Sequence, residues 1–366
     1  MKPARWPRPN PLDERLLAVD PCAGAFTDAR IADLGAFVRP GDLLVVNDAA
    51  TLPASLRGVA SSGRPVEVRL LSERTDGLWS AVLFGEGDWR LPTEDRPAPE
   101  RLAAGDRIVF ALGFTATVER LSSLSSRLLD LRFDPRGEGF WKELYRHGRP
   151  VQYSYLDAPL ELWHVQTHYA ARPWAAEPPS AGRPLSWALL LTLVRRGARI
   201  ATLTHAAGLS STGDPALDAA LPLAERFEIP SATVEAIEET RRRAGRVIAV
   251  GTTVARALEG SALLHGGFPA PGPGETELRI DGSFELRVVD GLLTGLHEPA
   301  SSHFRLLEAF APKRILEASY AHAERAGYLL HEFGDSSLIL CSKSPARPDI
   351  REGRRSELTA LTAALR

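Results

Sequence analysis

An abrupt change of hydrophobic period is what most limits the folds open to this chain. Between residues 56 and 133 apolar and polar side chains alternate. Val66, Val68 and Leu70 alternate with Glu67 and Arg69; Phe114, Ala116 and Val118 with Thr115, Thr117 and Glu119; Leu129, Leu131 and Phe133 with Asp130 and Arg132. A period of two puts every second side chain on one face of a strand. With residues 79–84 and 108–110, the pattern predicts five or six short strands separated by Gly, Pro, Ser and Asp turns. That describes a small antiparallel barrel or sandwich, with a proline-rich loop at residues 92–99.

Outside this stretch the pattern differs. Leu43-Leu44-Val45-Val46 reads as a buried strand after the turn Arg39-Pro40-Gly41-Asp42. Beyond about residue 140, helix and strand alternate. Ser186 is placed to cap a helix that Gly197 stops, and a strand at 200–204 follows. Ser231 is placed to cap a second helix that Gly245 ends, with Glu238–Arg242 and Glu239–Arg243 at favourable i,i+4 spacing. A strand at 247–250, helices at 302–310 and 313–326 and a strand near 338–340 complete the series. Such alternation predicts a mostly parallel sheet covered on both faces. The expected fold is therefore a three-layer α/β/α domain, residues 1–58 and 140–342, with an antiparallel β-barrel domain inserted at 59–139. A tail, 343–366, follows, with a short helix at 356–365.

Composition narrows the functional classes. The 366 residues are 44% hydrophobic and 25% charged, as in ordinary globular proteins, and the net charge of −2 argues against wholesale wrapping of nucleic acid. A local basic face remains open, built from Arg195, Arg196, Arg199, Arg241, Arg242, Arg243 and Arg246. Cys22 and Cys341 lie at opposite ends of the chain without metal-ligand spacing, so neither a disulfide framework nor a cysteine zinc site is expected. The first eleven residues have no signal-peptide apolar core, and the apolar stretch 187–194 is too short to cross a bilayer. A cytoplasmic protein without a membrane partner is expected.

Several strand ends carry polar residues. Asn47-Asp48 follows the first buried strand, where α/β folds gather ligands. Val247-Ile248-Ala249-Val250-Gly251-Thr252-Thr253-Val254-Ala255-Arg256 reads as strand, small-residue turn and helix start. Free N–H groups and the helix dipole at such a turn can hold an anion or a ribose hydroxyl. Gln166-Thr167-His168-Tyr169-Ala170 clusters hydrogen-bonding side chains. His205, just past a strand, and His297 can act as acid, base or donor near neutral pH. Phe333-Gly334-Asp335 puts a carboxylate on a tight turn. Taken singly, each is also an ordinary cap, turn or loop histidine.

Taken in order, these segments resemble the S-adenosylmethionine:tRNA ribosyltransferase-isomerase family of queuosine biosynthesis. The resemblance runs from about residue 13 to 340. It is carried by Gly41-Asp42-Leu43-Leu44-Val45-Val46-Asn47-Asp48 with Pro53-Ala54-Ser55-Leu56-Arg57-Gly58, then Gln166-Thr167-His168-Tyr169-Ala170, and Gly251-Thr252-Thr253-Val254-Ala255-Arg256-Ala257-Leu258-Glu259. Leu293-Thr294-Gly295-Leu296-His297-Glu298-Pro299-Ala300-Ser301-Ser302 and Phe333-Gly334-Asp335 complete it. It implies an α/β domain with an inserted barrel. The implied reaction moves and isomerises the ribosyl group of S-adenosylmethionine, a co-substrate, onto a deazaguanine base in tRNA, releasing adenine and methionine without a metal. His205, Glu225, Gln166 and Tyr169 are the implied catalytic set. Asn47, Asp48, Thr167, Gly251, Thr252, Thr253, Arg256, His297 and Asp335 are the implied substrate contacts.

The chain also departs from the family pattern. Pro184 stands where a histidine is expected, and 221–227 keeps Glu225 of a histidine-rich stretch but neither histidine. Residues 151–156 replace a Pro-Pro-Tyr-Ile element, and Gly295 replaces an asparagine. Two alternatives stay open: an S-adenosylmethionine- or nucleoside-binding enzyme with another acceptor, and a non-catalytic protein that binds RNA or a protein partner.

Overall fold

The computed structural model describes residues 1–74, 77–299 and 301–342. Its larger sheet has nine strands, ordered Gly272–Thr276, Glu225–Ile229, Arg199–His205, Leu43–Asn47, Val247–Val250, Gly291–Gly295, Ser336–Leu340, Arg15–Asp20 and Ala25–Arg30. The four strands from Arg199–His205 to Gly291–Gly295 run parallel, and antiparallel partners flank them. Leu43 and Val45 pack on one face beneath helices Ser231–Arg242, Thr252–Leu264 and Lys313–Arg325. Leu44 and Val46 pack on the other, beneath the 3-10 turn Ile31–Ala36 and helix Trp187–Arg195. Burial on both faces explains why this strand is a run of apolar residues rather than an alternation. The result is the three-layer arrangement.

The caps follow local chemistry, with two adjustments. The Ser186 hydroxyl accepts the Leu189 N–H at 3.3 Å and starts its helix. The next helix takes Pro230 as its cap, so Ser231 is its first residue. Its left-handed terminal position falls on Ala244, with φ of 53°. Gly245 is needed for a different reason: a Cβ there would lie 2.2 Å from the Gly41 carbonyl oxygen. Glu239 pairs with both Arg242 and Arg243.

The period-two stretch closes on itself. Six strands form a barrel in the order Phe114–Leu121, Leu128–Asp134, Leu78–Phe84, Pro65–Glu73, Ser55–Ala60 and Arg107–Ala111. Val66, Val68, Leu70, Phe114, Ala116, Val118, Leu129, Leu131 and Phe133 fill one core. The boundary expected at residue 58 falls inside a barrel strand, since Ser55–Ala60 pairs with two barrel neighbours. The polar half of the Pro65–Glu73 alternation is buried too. Glu67 and Arg69 are 3% and 1% exposed and paired at 2.7 Å.

The chain leaves the sheet after Asn47 and rejoins it at Arg199. The outgoing and returning passages are tied together, with Ala49–Thr51 parallel to Arg172–Ala175 and Ser55 bridged to Arg149.

Two expectations are overturned. Cys22 and Cys341 form a disulfide: the sheet brings the turn after Arg15–Asp20 beside the end of Ser336–Leu340, which sequence distance conceals. Arg246 is not part of a basic surface. It is 5% exposed, forks onto both oxygens of Asp42, and donates to the carbonyls of Phe37 and Cys341. Arg246 and Arg199 also sit where their strands begin, at the edge of the sheet opposite Asn47 and His205. The expected tail and its helix lie outside the described residues. Among those residues no helix is long and apolar enough to cross a membrane.

Candidate functional site

The carboxyl-terminal ends of the parallel strands converge on one edge, as ligand sites in α/β sheets do. Asn47 ends one strand and His205 its neighbour. The Asn47 amide braces the pair: Oδ1 accepts the N–H of His205 at 2.9 Å and of Ala49 at 3.0 Å, and Nδ2 donates to the His205 carbonyl at 3.0 Å. Asn47 thus positions His205. Asp48, next along, accepts the Thr204 hydroxyl at 2.6 Å. The third strand turns through Gly251, whose φ of 94° is left-handed, into helix Thr252–Leu264. Thr253 Oγ1 lies 3.5 Å from Asn47 Nδ2. Thr252 is buried at the start of this helix.

His205 is fully buried, and neither ring nitrogen has a hydrogen-bond partner. Its Nε2 lies 3.5 Å from Glu225 Oε2. Glu225 also accepts the Arg256 Nη1 proton and, through Oε1, the Gly208 N–H at 2.8 Å. Arg256 Nε donates to the Leu278 carbonyl at 2.9 Å, while its buried Nη2 has no partner. Burial lowers the His205 pKa to about 4, helped by Arg256 and opposed by Glu225. At neutral pH the ring is therefore uncharged, with one nitrogen free to accept a proton and the other to donate.

Thr167 and Tyr169 approach from the segment leading back from the barrel. Both hydroxyls are buried without partners. Burial and the nearby charge of Asp48 raise the Tyr169 phenol. Tyr169 rests on Gly182, where an added Cβ would lie 2.0 Å from its hydroxyl and 3.4 Å from the Thr167 methyl. Gly182→Ala is expected to destabilise the protein by about 1–3 kcal/mol, as overpacking does. Adding Tyr169→Phe should recover part of that loss, and urea denaturation of the two variants checks it.

Two expected site residues have other duties. Gln166 spends its amide on the backbone of Thr51, accepting the N–H and donating to the carbonyl, both at 2.9 Å. It locks the neck of the barrel and so holds the segment carrying Thr167 and Tyr169 in place. Asp335 is 1% exposed. It receives Arg8 at 2.7 Å and the N–H groups of Arg15 and Leu329 at 3.0 and 2.8 Å. These bonds make it a clamp on the loop at residues 331–334.

His297 lies farther along the edge, with Nε2 3.0 Å from the Thr294 hydroxyl. Its ring stacks on His303 at 4.7 Å. Burial, then His303 and His331, pull its pKa well down. Burial also lowers His303, with Arg256 adding to the effect.

A second polar group stands beside the first, and none of its residues was among the expected site residues. Tyr153 donates to Glu177, and Tyr155 donates to Glu332. Tyr155 stacks on His331 at 4.4 Å, and His331 has a left-handed φ of 70°, unusual for a non-glycine residue. Tyr153 and Tyr155 belong to the segment that replaces the family's Pro-Pro-Tyr-Ile element, which was the one available signal. Among the described residues, three metal-ligating groups meet only at Asp20, Cys22 and Cys341, where both sulfurs are held in the disulfide.

A sheet edge lined with buried, partnerless hydroxyl, imidazole and guanidinium atoms, beside an inserted barrel, defines a small-molecule-processing α/β protein. The family model described as "Queuosine biosynthesis protein" matches residues 2–339, and the chain belongs to that family. It is 40% identical to an S-adenosylmethionine:tRNA ribosyltransferase-isomerase of Gloeobacter violaceus, over 89% of each chain. It is 35% identical to the enzyme so named from Acidithiobacillus ferrooxidans, over 92% of this chain and 94% of that one. The crystal structure of S-adenosylmethionine tRNA ribosyltransferase from Thermotoga maritima shares the fold. Its TM-score is 0.51 at 24% identity, covering 92% of this chain and 96% of the other.

Proposed function

We propose that this protein is a cytoplasmic ribosyltransferase-isomerase that takes the ribosyl group of S-adenosylmethionine to a deazaguanine base in tRNA. Family membership and the likeness to enzymes of that name support the reaction. The observation that carries it is the set of partnerless buried polar atoms on His205 and Arg256, both of which meet Glu225, together with those of Tyr169, near Asp48, and of Thr167 beside it. Burying such atoms without partners costs about 1–3 kcal/mol each, and a polar ligand removes that cost. Neutral His205, with Glu225 beside it, is the group that accepts and returns a proton. Arg256 Nη2 and the Thr253 hydroxyl are donors suited to ribose oxygens at the helix start. Tyr169 packs against the core that holds Leu44 and Val46, within reach of the Asp48 charge, and Thr167 meets it at Gly182.

The missing motif histidines favour one second reading, the same donor with a different acceptor. Arg246 and Arg199 lie at the opposite sheet edge, so a basic face built on them would hold RNA away from His205. Incubation with S-adenosylmethionine, with and without precursor tRNA, separates the readings. Adenine released only with tRNA supports the proposed reaction, and release without tRNA supports another acceptor. No adenine and no nucleoside binding by folded protein would sink both.

A further inference from the structure

Arg69 lies in a barrel strand, 1% exposed, with Nε bound to Glu67 at 2.7 Å. Its Nη1 is buried and has no acceptor. The guanidinium stands 4.4 Å from the Phe84 ring and 5.6 Å from that of Tyr153. The Tyr153 hydroxyl bonds Glu177 Oε1, which also receives the Ser210 N–H at 2.9 Å and the Ser210 hydroxyl at 3.1 Å. Among the described residues nothing donates to Glu177 Oε2, and no cation pairs with this half-buried carboxyl. Arg69 acts on it electrostatically but forms no salt bridge with it, and carrying charge at such a site is costly. Burial accordingly pushes Glu177 up to about 7. The arrangement thus presents a buried, unused N–H of a cation over the Tyr153 ring and, at that ring's hydroxyl, a carboxylate with one oxygen to which nothing among the described residues donates. A ligand with an anion and a cation a few ångströms apart would satisfy both.

The same short loop joins this pocket to the site above. The Gly208 N–H holds Glu225, and the Ser210 N–H holds Glu177. The Ala207 carbonyl accepts the Ala176 N–H at 2.9 Å, which fixes the segment carrying Glu177 against the loop that follows His205.

We propose that Arg69, Tyr153 and Glu177 form a recognition pocket for a zwitterionic α-amino-acid group, with Arg69 taking the carboxylate and Glu177 the ammonium. The assignment rests on the proposed function and deepens it: the amino-acid end of the donor enters from the barrel side while its ribose meets His205. The Tyr153 ring supplies an apolar, slightly negative face along which the connecting methylenes and a sulfonium centre can lie.

Calorimetric titration tests this with two nucleosides that differ in the amino-acid group: S-adenosylhomocysteine, which has it, and 5′-methylthioadenosine, which lacks it. Wild type is expected to prefer the first by about 10-fold or more, the worth of charge-assisted hydrogen bonds. Glu177→Gln should bring the two near parity while leaving 5′-methylthioadenosine affinity unchanged. Arg69→Lys should do the same, with Tyr153→Phe as substitute should the buried lysine prevent folding. A Glu177→Gln protein that keeps the full preference overturns the pocket. Wild type that takes neither nucleoside overturns the proposed function instead. L-methionine then decides the pocket alone: saturable binding lost in Glu177→Gln upholds it, and no binding by wild type removes it.

Discussion

Replacing His205 with leucine is expected to make the protein more stable and nearly inactive at once. The side chain is fully buried and both its nitrogens lack partners. The substitution therefore breaks no internal side-chain hydrogen bond, because Asn47 holds only the backbone of residue 205. Removing two unsatisfied buried polar atoms for an apolar group of similar size should gain about 1–3 kcal/mol. Losing the imidazole whose Nε2 stands 3.5 Å from Glu225 should lower adenine release by about 10²–10⁴-fold, the usual worth of a positioned acid or base. Urea denaturation and chromatography of released adenine read the two effects separately. A destabilised but active variant would remove His205 from the chemistry.

Arg256→Met should have the largest effect on stability. Glu225 would then keep the Gly208 N–H and a neutral His205, with no cation beside it. Breaking a buried ion pair from one side costs about 3–5 kcal/mol, chiefly through the charge left behind. The double variant Arg256→Met with Glu225→Gln removes both charges and should regain a large part of that loss. Nucleoside affinity should stay low in both proteins, because the free guanidinium donor is gone from each. A double-mutant cycle in chemical denaturation checks the coupling, and simple additivity of the two single losses would contradict it.

Elements whose signal is local were legible in the sequence. The barrel strands followed from alternation at Val66, Val68 and Leu70, and the helix after Ser186 from one capping hydroxyl. The strand-end residues Asn47, His205 and Thr253 could be placed at one edge because parallel strands share a direction. What stayed hidden depends on distant neighbours. The sequence did not show that Asn47 braces His205, or that Asp335 clamps Arg8 and two backbone N–H groups. Arg246 read as surface charge until Asp42 appeared across the sheet, and the Cys22–Cys341 pair spans 319 residues. Glu67 and Arg69 were simply the polar half of a strand. Ser55, Phe84 and Arg96 of the barrel segment, with Tyr153 from outside it, cover that half.

The tied neck of the barrel bears on how the chain reaches its native state. Leu43 pairs with Arg199, so two central strands must meet across a loop of roughly 150 residues, an entropic cost that grows with the logarithm of length. The Ser55–Arg149 bridge encloses the whole barrel, and the pairing of Thr51 with Ala175 lies just outside it. Once those inner contacts have formed, the open chain left to close is roughly 30 residues, a saving of about 1–2 kcal/mol on that final step. Barrel closure, neck pairing and sheet closure are nested like the teeth of a zip, each shortening the loop that the next must span. Such nesting favours a late meeting of the strands that carry Asn47 and His205, so that the catalytic edge is among the last parts of the molecule to take shape.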